Sequence, residues 1–529
     1  MAKDLARPLP EEPPQAPVRW REILSVVALV ALADLAMYRG HGFAGYALVF
    51  LAAPGLLLWG SPRPKPLAGA WVVGAMMLLL AAKLVWCGSG LLVAAGFALL
   101  AALSLAIAGL RPYVEETVVY AFQTVPAGYL GLVHYRRCAD RLSPAVSRSG
   151  WLSVALPLAA LVGFGTLFIL ANPDVFTSVA EHLGRFFRSL REWILRFAPT
   201  WQEVLLWIAV AWVAIGLLRP IVRESGLESL WKERDDRPRD TEPPAEAPLY
   251  AAFRNTLLAV IGLFAVYLVF EFKTLWFRVF PKGFYYSGYA HEGAAWLTVA
   301  LALATVVLSA IFRGRMRRDP RLGRLQRLAW IWSAENMLLA LAVYHRLYIY
   351  IGFNGMTRMR TVGIFGISAV VVGFVLVVWK IACGHHFLWL WRRHLWTLAV
   401  AVYLFAVTPV DALVHTYNVR RILAGDPAPS VQISVHPIDS EGILVLHPLL
   451  QCDDPIIREG IRAMLARHAE QAEALAQERQ EQGWTAFQLA DQFLLEQLRG
   501  LGSEWEEYAD PAKRTAALAR FHEYAYQWY

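Results

Sequence analysis

The chain has 529 residues, of which 57% are hydrophobic and 17% charged, whereas soluble domains are about half apolar and about a quarter charged. This composition excludes an ordinary soluble globular protein. The formal net charge is +8, but Lys and Arg lie in short blocks between apolar runs rather than along one helix face, which excludes a nucleic-acid-binding surface.

The chain begins with a proline-rich polar stretch, residues 1–21, which we predict to be a disordered cytoplasmic tail. No small-residue cleavage site follows the first apolar run, so we expect no cleaved signal peptide. The four cysteines are widely separated and form no CxxC pair. The sequence therefore predicts neither a disulfide framework nor a metal site, and no cofactor is expected.

Long apolar runs follow the tail. Leu91–Leu110 and Thr361–Trp379 contain no charged residue, and about 20 apolar residues suffice to cross a bilayer core of about 30 Å. The stretch Val114–Val133 is only moderately apolar and is compatible with an interfacial or re-entrant helix. We predict an all-α fold, a polytopic transmembrane helix bundle of about 11 spans. The predicted spans lie near residues 23–38, 43–60, 67–86, 91–110, 151–171, 201–218, 255–272, 291–312, 328–351, 361–380 and 395–413.

The loops between these spans differ in charge from one side of the membrane to the other. The strongest basic block is Arg313–Arg327, which holds seven arginines and one acid, Asp319. Because cytoplasmic loops are enriched in Lys and Arg, this pattern predicts a cytoplasmic N-terminus. An odd number of spans then places the C-terminal region on the exoplasmic side.

The segment 224–248 is rich in both charges and in proline, and we predict a flexible cytoplasmic linker there. It separates a first membrane half, residues 22–223 with about six spans, from a second half, residues 249–413 with about five. Residues 414–529 are predicted to form a small helical exoplasmic domain.

Helical signals recur in this C-terminal region. Ile457 and Ile461 stand at helical spacing, Gly483 offers a helix stop, and Asp510 before a proline predicts a helix start. The aromatic residues of the last helix are expected to pack among helices rather than to lie at the membrane interface.

Ionisable residues inside spans are expensive and are candidates for function. Glu335 and Arg346 are eleven residues apart on one predicted helix, nearly on the same face, and about 16 Å apart along its axis. Each therefore needs its own partner from another helix, which leaves two interpretations: a polar path through the bundle, or two interhelical pairs. Four further ionisable residues near span ends are expected at the interface or in helix pairs: Asp34, Lys83, Glu271 and Asp411.

A second cluster lies at the predicted outer ends of spans. Arginine offers a planar fork for phosphate, so the cluster predicts a site for an anionic lipid headgroup or envelope polymer. Alternatively, its arginines cap helix C-termini and pair with Asp174, Glu292 or Asp411. The predicted cluster comprises Arg346, Tyr350, Thr357, Arg358, Arg360, Asn418, Arg420 and Arg421.

Four phrases in order resemble the bacterial multi-span proteins of the domain of unknown function 4173 family and its 4153-related members. The resemblance implies a multi-span fold and no particular reaction. Asn172 stands where the family phrase has Asp, and His291 stands where it has Arg. The phrases are Phe164–Phe168 with Ala171–Phe176, Tyr289–Gly293, Arg346–Leu347 with Tyr350, Gly355–Thr357 and Arg360, and Pro409–Asp411 with Tyr417–Arg420.

These features predict a bacterial inner-membrane protein of non-catalytic function, which either moves a solute or acts as an envelope scaffold or sensor. Membrane lipids are its expected partners. Motifs of metalloproteases, P-loop enzymes, hydrolases and dinucleotide-binding enzymes are absent from the sequence. The alternative is a membrane enzyme that acts on lipid-linked substrates at the outer leaflet, with Glu292 or Asp411 as acid or base. Glu335, Glu292, Asp411 and His291 complete the predicted set of intramembrane polar residues.

Overall fold

The structure is a computed structural model, and the residues it describes contain helices and no strands. The predicted tail before residue 17, most of the predicted linker, and residues 172–176 of the phrase Ala171–Phe176 lie outside the described residues. So do most of the basic block before Asp319 and the side chains of His291 and Glu292. The described residues are 17–62, 66, 68–142, 148–171, 199–220, 246–276, 286–312, 316, 319–385 and 387–529.

Thirteen α-helices and two short π-helical segments, Asp34–Tyr38 and Phe272–Trp276, make up the helical part of the described chain before residue 424. The uncharged apolar runs form helices of about 20 residues, because a helix satisfies its backbone hydrogen bonds internally, as hydrocarbon requires. The α-helices are α1 (Trp20–Ala33), α2 (Phe43–Gly60), α3 (Ala68–Cys87), α4 (Gly90–Ile107), α5 (Val114–Leu142), α6 (Arg148–Ala171), α7 (Trp201–Leu218), α8 (Tyr250–Glu271), α9 (Tyr286–Ile311), α10 (Leu322–Asn354), α11 (Arg358–Cys383), α12 (Phe387–Val407) and α13 (Val410–Leu423).

Six of the described helices are long and apolar enough to cross a membrane, namely α2, α3, α4, α7, α8 with its extension to Thr274, and α11. A seventh span results if α12 and α13, which meet at a bend of 65°, count as one. These helices indicate a membrane protein. The predicted total of about 11 spans stays a prediction.

Helices α1 and α7 run antiparallel. Near the start of α1, Glu22 is fully buried and accepts hydrogen bonds from Arg219, at the end of α7, at 2.5 and 2.8 Å. At the opposite ends, Trp207 donates to Asp34 at 2.9 Å. The start of α1 and the end of α7 therefore lie at one end of the bundle.

Helix α5 lies across that same end. Near its start, Tyr113 stacks under Arg392, the guanidinium carbon of which is 4.5 Å from the ring centroid. Towards its end, Tyr135 donates to Glu22. In between, Trp212 of α7 donates to the carbonyl oxygen of Val125 at 2.7 Å. Two of these contacts lie at helix ends, whereas Trp212 stands six residues before the end of α7. The interfacial or re-entrant role of this stretch stays a prediction.

The chain after α13 forms five further α-helices around their own apolar core, and we call residues 430–529 the C-terminal helices. Ile457 and Ile461 are fully buried there. Asp510 caps α18 by accepting from the backbone N–H of Ala512, and α16 ends before Gly483, which confirms both helix signals. The helices are α14 (Ser430–Val435), α15 (Ser440–Ile443), α16 (Pro455–Gln482), α17 (Leu489–Gly500) and α18 (Pro511–Tyr526).

The C-terminal helices pack on the other ends of the membrane helices. Lys83, near the end of α3, pairs with the buried Glu441 of α15 at 2.5 Å. Trp86 donates to the same carboxylate at 3.1 Å. Each ion is about nine-tenths buried or more, so a charge inside a candidate span is neutralised by a residue from outside it.

Candidate functional site

Arg346 of α10 has a charged partner on another helix, as the sequence analysis required. Its guanidinium donates to both carboxylate oxygens of Glu271, at 2.6 Å each, and Tyr267 donates a third hydrogen bond to that carboxylate at 3.0 Å. Arg346 is 7% exposed and Glu271 1%. Two opposite charges in bidentate contact make this a compensated interhelical pair.

Glu335 does not join this pair. It is half-buried, and its Oε2 atom is buried without a hydrogen-bond donor among the described residues. The first buried residue after Glu335 is polar: Asn336 is fully buried, and its amide donates to the carbonyl oxygen of Trp332 at 2.8 Å, back along the helix. The buried side chains between Asn336 and Arg346 are apolar: Leu339, Ala340, Ala342 and Val343. On this helix, these four residues separate the polar groups at Glu335 and Asn336 from Arg346.

A tight loop joins α10 to α11. Gly355 has a φ of +96°, and a Cβ atom there would lie 2.5 Å from the side-chain oxygen of Asn418, so the loop needs glycine for both its backbone and its space. The Asn418 side chain accepts from the backbone N–H of Met356 at 2.7 Å and donates to its carbonyl oxygen at 2.9 Å. Thr357 then caps α11 with its hydroxyl. Asn418 therefore clamps the loop.

Arg360, in the first turn of α11, is a buried cation that is 3% exposed. It donates to the side-chain oxygen of Asn354 at 2.5 Å and to the carbonyl oxygen of Gly355. Its guanidinium carbon lies 3.6 Å from the ring centroid of Tyr350. Both hydrogen-bond acceptors are neutral, and no described carboxylate pairs with it. The positive charge is thus solvated by dipoles and a ring rather than neutralised.

Arg358, two residues earlier, is half-exposed and donates to both carboxylate oxygens of Asp411. Its second carboxylate contact is Asp439, at 2.6 Å. The backbone N–H of Asp439 in turn donates to Asp411 at 2.8 Å. Asp411 is 2% exposed, and each of its oxygens already accepts a hydrogen bond, so it is poorly placed to exchange protons with a substrate.

A cavity of about 410 Å³ lies where this loop meets α13 and the C-terminal helices. Its wall includes the first three residues of α11, the helix terminus at which backbone N–H groups and the helix dipole favour an anion. The lining residues are Tyr350, Asn354, Met356, Thr357, Arg358, Met359, Arg360, Asp411, Val414, His415, Gln432, His436, Pro437 and Tyr529.

Two histidines line the cavity beside the arginines. His415 is 3% exposed, and its Nδ1 atom has no hydrogen-bond partner among the described residues. His436 lies at the rim, where desolvation first and repulsion from Arg360 and Arg358 second lower its pKa below the ordinary value. Desolvation is the larger cause of this lowered pKa, and the repulsion from the two arginines acts in the same direction.

The structure thus brings part of the predicted cluster together. Four of its members, Tyr350, Thr357, Arg358 and Arg360, line one cavity, and Asp411, predicted as a pairing partner, lines it too. Arg346 lies eight residues before the end of α10, about 12 Å deeper along the helix axis. The side chain of Arg420 is exposed and lines no wall of the cavity.

Arg421 takes the alternative role proposed from sequence. Its guanidinium donates to the carbonyl oxygens of Ile351 and Gly352, at 2.8 and 2.7 Å, in the last turn of α10. Sequence reasoning missed His415 and His436 altogether. His415 had a detectable signal, since it stands four residues after Asp411 and so on the same helix face; His436 had none.

Among the residues that the structure describes, no group of three or more His, Cys, Asp or Glu side chains is arranged to hold a metal ion. The chain matches one family model, described as a domain of unknown function (DUF4153), over residues 67–438. The resemblance to an unknown-function family is confirmed, and the 4173 designation was imprecise. No curated protein and no solved structure matches the chain.

Proposed function

The chain belongs to the family of the domain of unknown function DUF4153, and we propose that it is a non-catalytic scaffold or sensor that binds an anionic group between its membrane helices and its C-terminal helices. We propose further that it lies in a bacterial inner membrane, with about 11 spans, a cytoplasmic N-terminus and the C-terminal helices outside. The domain boundaries predicted from the sequence, including the linker at 224–248, belong to this proposal.

Two observations support the orientation. The end of the bundle where α1 starts and α7 finishes carries Arg219 and Arg392. Helix α10 begins within the basic block Arg313–Arg327, at the end opposite to its contact with the C-terminal helices through Asn354. The C-terminal helices pack on the opposite ends, through Glu441 and Lys83. A basic cytoplasmic side therefore leaves the C-terminal helices outside.

The observation that carries the function is the buried charge of Arg360. An ion taken out of water is costly unless a counter-charge meets it. Arg360 is 3% exposed and has neutral acceptors, while the cavity beside it is large enough for a phosphate with its substituent. An anion in that cavity would supply the missing counter-charge and join α11 to the C-terminal helices.

We favour binding over catalysis because the acid that the enzyme interpretation needs, Asp411, is held by Arg358 and by the backbone of Asp439. We favour a scaffold or sensor over a transporter because four buried apolar residues on α10 separate the polar pair of neighbours Glu335 and Asn336 from Arg346. The ligand chemistry is a phosphate or a similar oxyanion, either free or on a lipid headgroup.

The test is native mass spectrometry of the protein released from nanodiscs, with phosphatidylglycerol in one arm and inorganic phosphate in the other. We expect Arg360→Gln to lower occupancy about tenfold or more, the loss typical of one charged hydrogen-bond partner. Arg358→Gln, at the exposed edge, should lower it less.

The matched control is Arg420→Gln, which removes an exposed arginine of the same neighbourhood that does not line the cavity. Equal occupancy in Arg360→Gln, Arg420→Gln and the unaltered protein, in both arms, would refute the anion site. Occupancy in the lipid arm alone would identify a headgroup, and occupancy in the phosphate arm alone a soluble oxyanion.

A further inference from the structure

The C-terminal helices expose few large hydrophobic side chains, and most of these are aromatic. Residues 430–529 are all described, and within them six large hydrophobic residues are exposed. One of the six, Ile456, is aliphatic, and the other five are aromatic. The five aromatic residues are Trp484 (58% exposed), Phe487 (39%), Phe493 (49%), Tyr526 (52%) and Tyr529 (58%).

Trp484, Phe487 and Phe493 form the first group, which we call the tip patch. Trp484 and Phe487 lie in the turn between α16 and α17, and Phe493 lies in the second turn of α17, with its ring centroid 5.8 Å from that of Trp86 on α3. Hydrogen bonds fix the position of the α16–α17 turn relative to the ends of the membrane helices. The side chain of Gln488 donates to the carbonyl oxygen of Leu84 at 2.9 Å and accepts from the backbone N–H of Gly88 at 2.6 Å. These two residues bracket the end of α3, a candidate span.

A third bond ties the same turn to the neighbouring helix. The hydroxyl of Thr485 accepts from the backbone N–H of His41, two residues before α2, at 3.0 Å. The tip patch is thus level with the start of α2 and the end of α3. If these helices cross a bilayer, that level is its boundary with water.

Tyr526 and Tyr529 form the second group, the tail patch, and it is tied down in the same way. The carbonyl oxygen of Trp528 accepts from the side chain of Asn354 at 3.0 Å. Asn354 ends α10, four residues before α11 begins as a candidate span. The two patches therefore sit at the ends of different membrane helices, but on the same side of the bundle.

We propose that the tip patch and the tail patch rest in the interfacial layer of the bilayer leaflet that surrounds the spans, so that the C-terminal helices lie on the lipid surface. Rings of Trp and Tyr are favoured at headgroup depth, where an apolar body and a polar edge are both satisfied. A bilayer around α2, α3 and α11 necessarily reaches this level, so lipid covers the aromatic side chains without any further partner.

This inference requires that α2, α3 and α11 cross the membrane, but it does not require the anion site. It also revises the expectation that the aromatics of the last helix serve in packing alone. Phe521 is only 1% exposed, as packing requires, whereas Tyr526 in the same helix is half-exposed.

The test places an environment-sensitive fluorophore on a single cysteine, in a variant whose four native cysteines are replaced. The probe sites are Trp484→Cys and Phe493→Cys in the tip patch, with Ser503→Cys as the matched control, since Ser503 is exposed in the C-terminal helices outside both patches. Each protein is reconstituted into phosphatidylcholine–phosphatidylglycerol nanodiscs.

We expect quenching by nitroxide-labelled lipid and protection from iodide at both tip sites, with the reverse at Ser503. Two tip sites are used because, if one variant folds poorly, the other still tests the proposal. Iodide quenching at the tip sites equal to that at Ser503 would overturn the proposal. Protection from both quenchers would also overturn it, since a protein surface and not lipid would then cover the patch.

Discussion

Two buried arginines, fourteen positions apart, show how differently one fold can treat the same charge. Arg346, inside the bundle between α8 and α10, meets the carboxylate of Glu271 in a bidentate pair. Arg360, where α11 meets the C-terminal helices, is buried still more deeply but is met by an amide, a carbonyl and a ring. Charge neutrality inside the bundle is complete at the first position, while the second retains the ability to attract an anion.

The largest expected effect is a difference in stability when each of the two arginines is replaced by methionine. Arg346→Met should lower the free energy of unfolding by about 3–5 kcal/mol, because it strands the buried carboxylate of Glu271. Arg360→Met strands two neutral acceptors and removes an unneutralised charge, so its cost should be about 1–2 kcal/mol. Denaturant unfolding in one detergent measures both.

Arg520→Met is the matched control, because its pair with Glu459 is exposed on both sides. A loss below about 1 kcal/mol is expected there. Equal losses in Arg346→Met and Arg360→Met would contradict the distinction between a compensated and an uncompensated arginine.

A smaller effect concerns the sign of the cavity's charge. Asp411→Asn keeps the shape of the side chain and removes one negative charge beside Arg358, so affinity for an anion should rise about three- to tenfold. Calorimetric titration of the reconstituted protein with inorganic phosphate measures the change. Asp426→Asn, whose carboxylate pairs with Arg421 away from the cavity, should leave affinity as it was. Weaker binding in Asp411→Asn would show that the carboxylate helps to hold the ligand.

The smallest expected effect is a pH dependence of anion affinity, which arises in the cavity and not between the membrane helices. Because the pKa of His436 is lowered below its ordinary value of about 6.5, this side chain is neutral at pH 7. Protonation as the pH falls through the lowered value adds a positive charge beside the arginines. Affinity for an anion should then rise about two- to fivefold from pH 7.5 to pH 5.5.

Sulfate is the suitable probe, since its own charge stays constant over this range. His436→Gln should flatten the profile, and His447→Gln, an exposed histidine outside the cavity, should retain it. A profile that stays unchanged in His436→Gln would assign the titration to another group.

The sequence predicted the helices well because hydrocarbon imposes their length and apolar character. The uncharged runs around α4 and α11 admit no other fold, and the proline after Asp510 marks a helix start by local geometry alone. Spans with internal charges are harder to identify. Helix α10 holds Glu335 and Arg346 over its 33 residues, so its mean hydropathy does not separate a span from a long buried helix.

The candidate site could be predicted only in part. Arginines near span ends are visible in the sequence, and five of the predicted residues line one cavity. Which carboxylate meets which arginine depends on the approach of distant segments: Asp411 is 53 positions from Arg358, and Glu271 is 75 from Arg346. The family match also stops at residue 438, before most of the C-terminal helices.

The ion pair between Lys83 and Glu441 has a consequence for how the protein is made. The two residues are 358 positions apart, and at about 5–20 residues per second a ribosome needs on the order of tens of seconds to reach the second after the first. Throughout that interval an ammonium group sits in an unfinished bundle with its carboxylate not yet synthesised. A chain that ends before Glu441 would therefore leave Lys83 without the carboxylate that neutralises it in the finished protein.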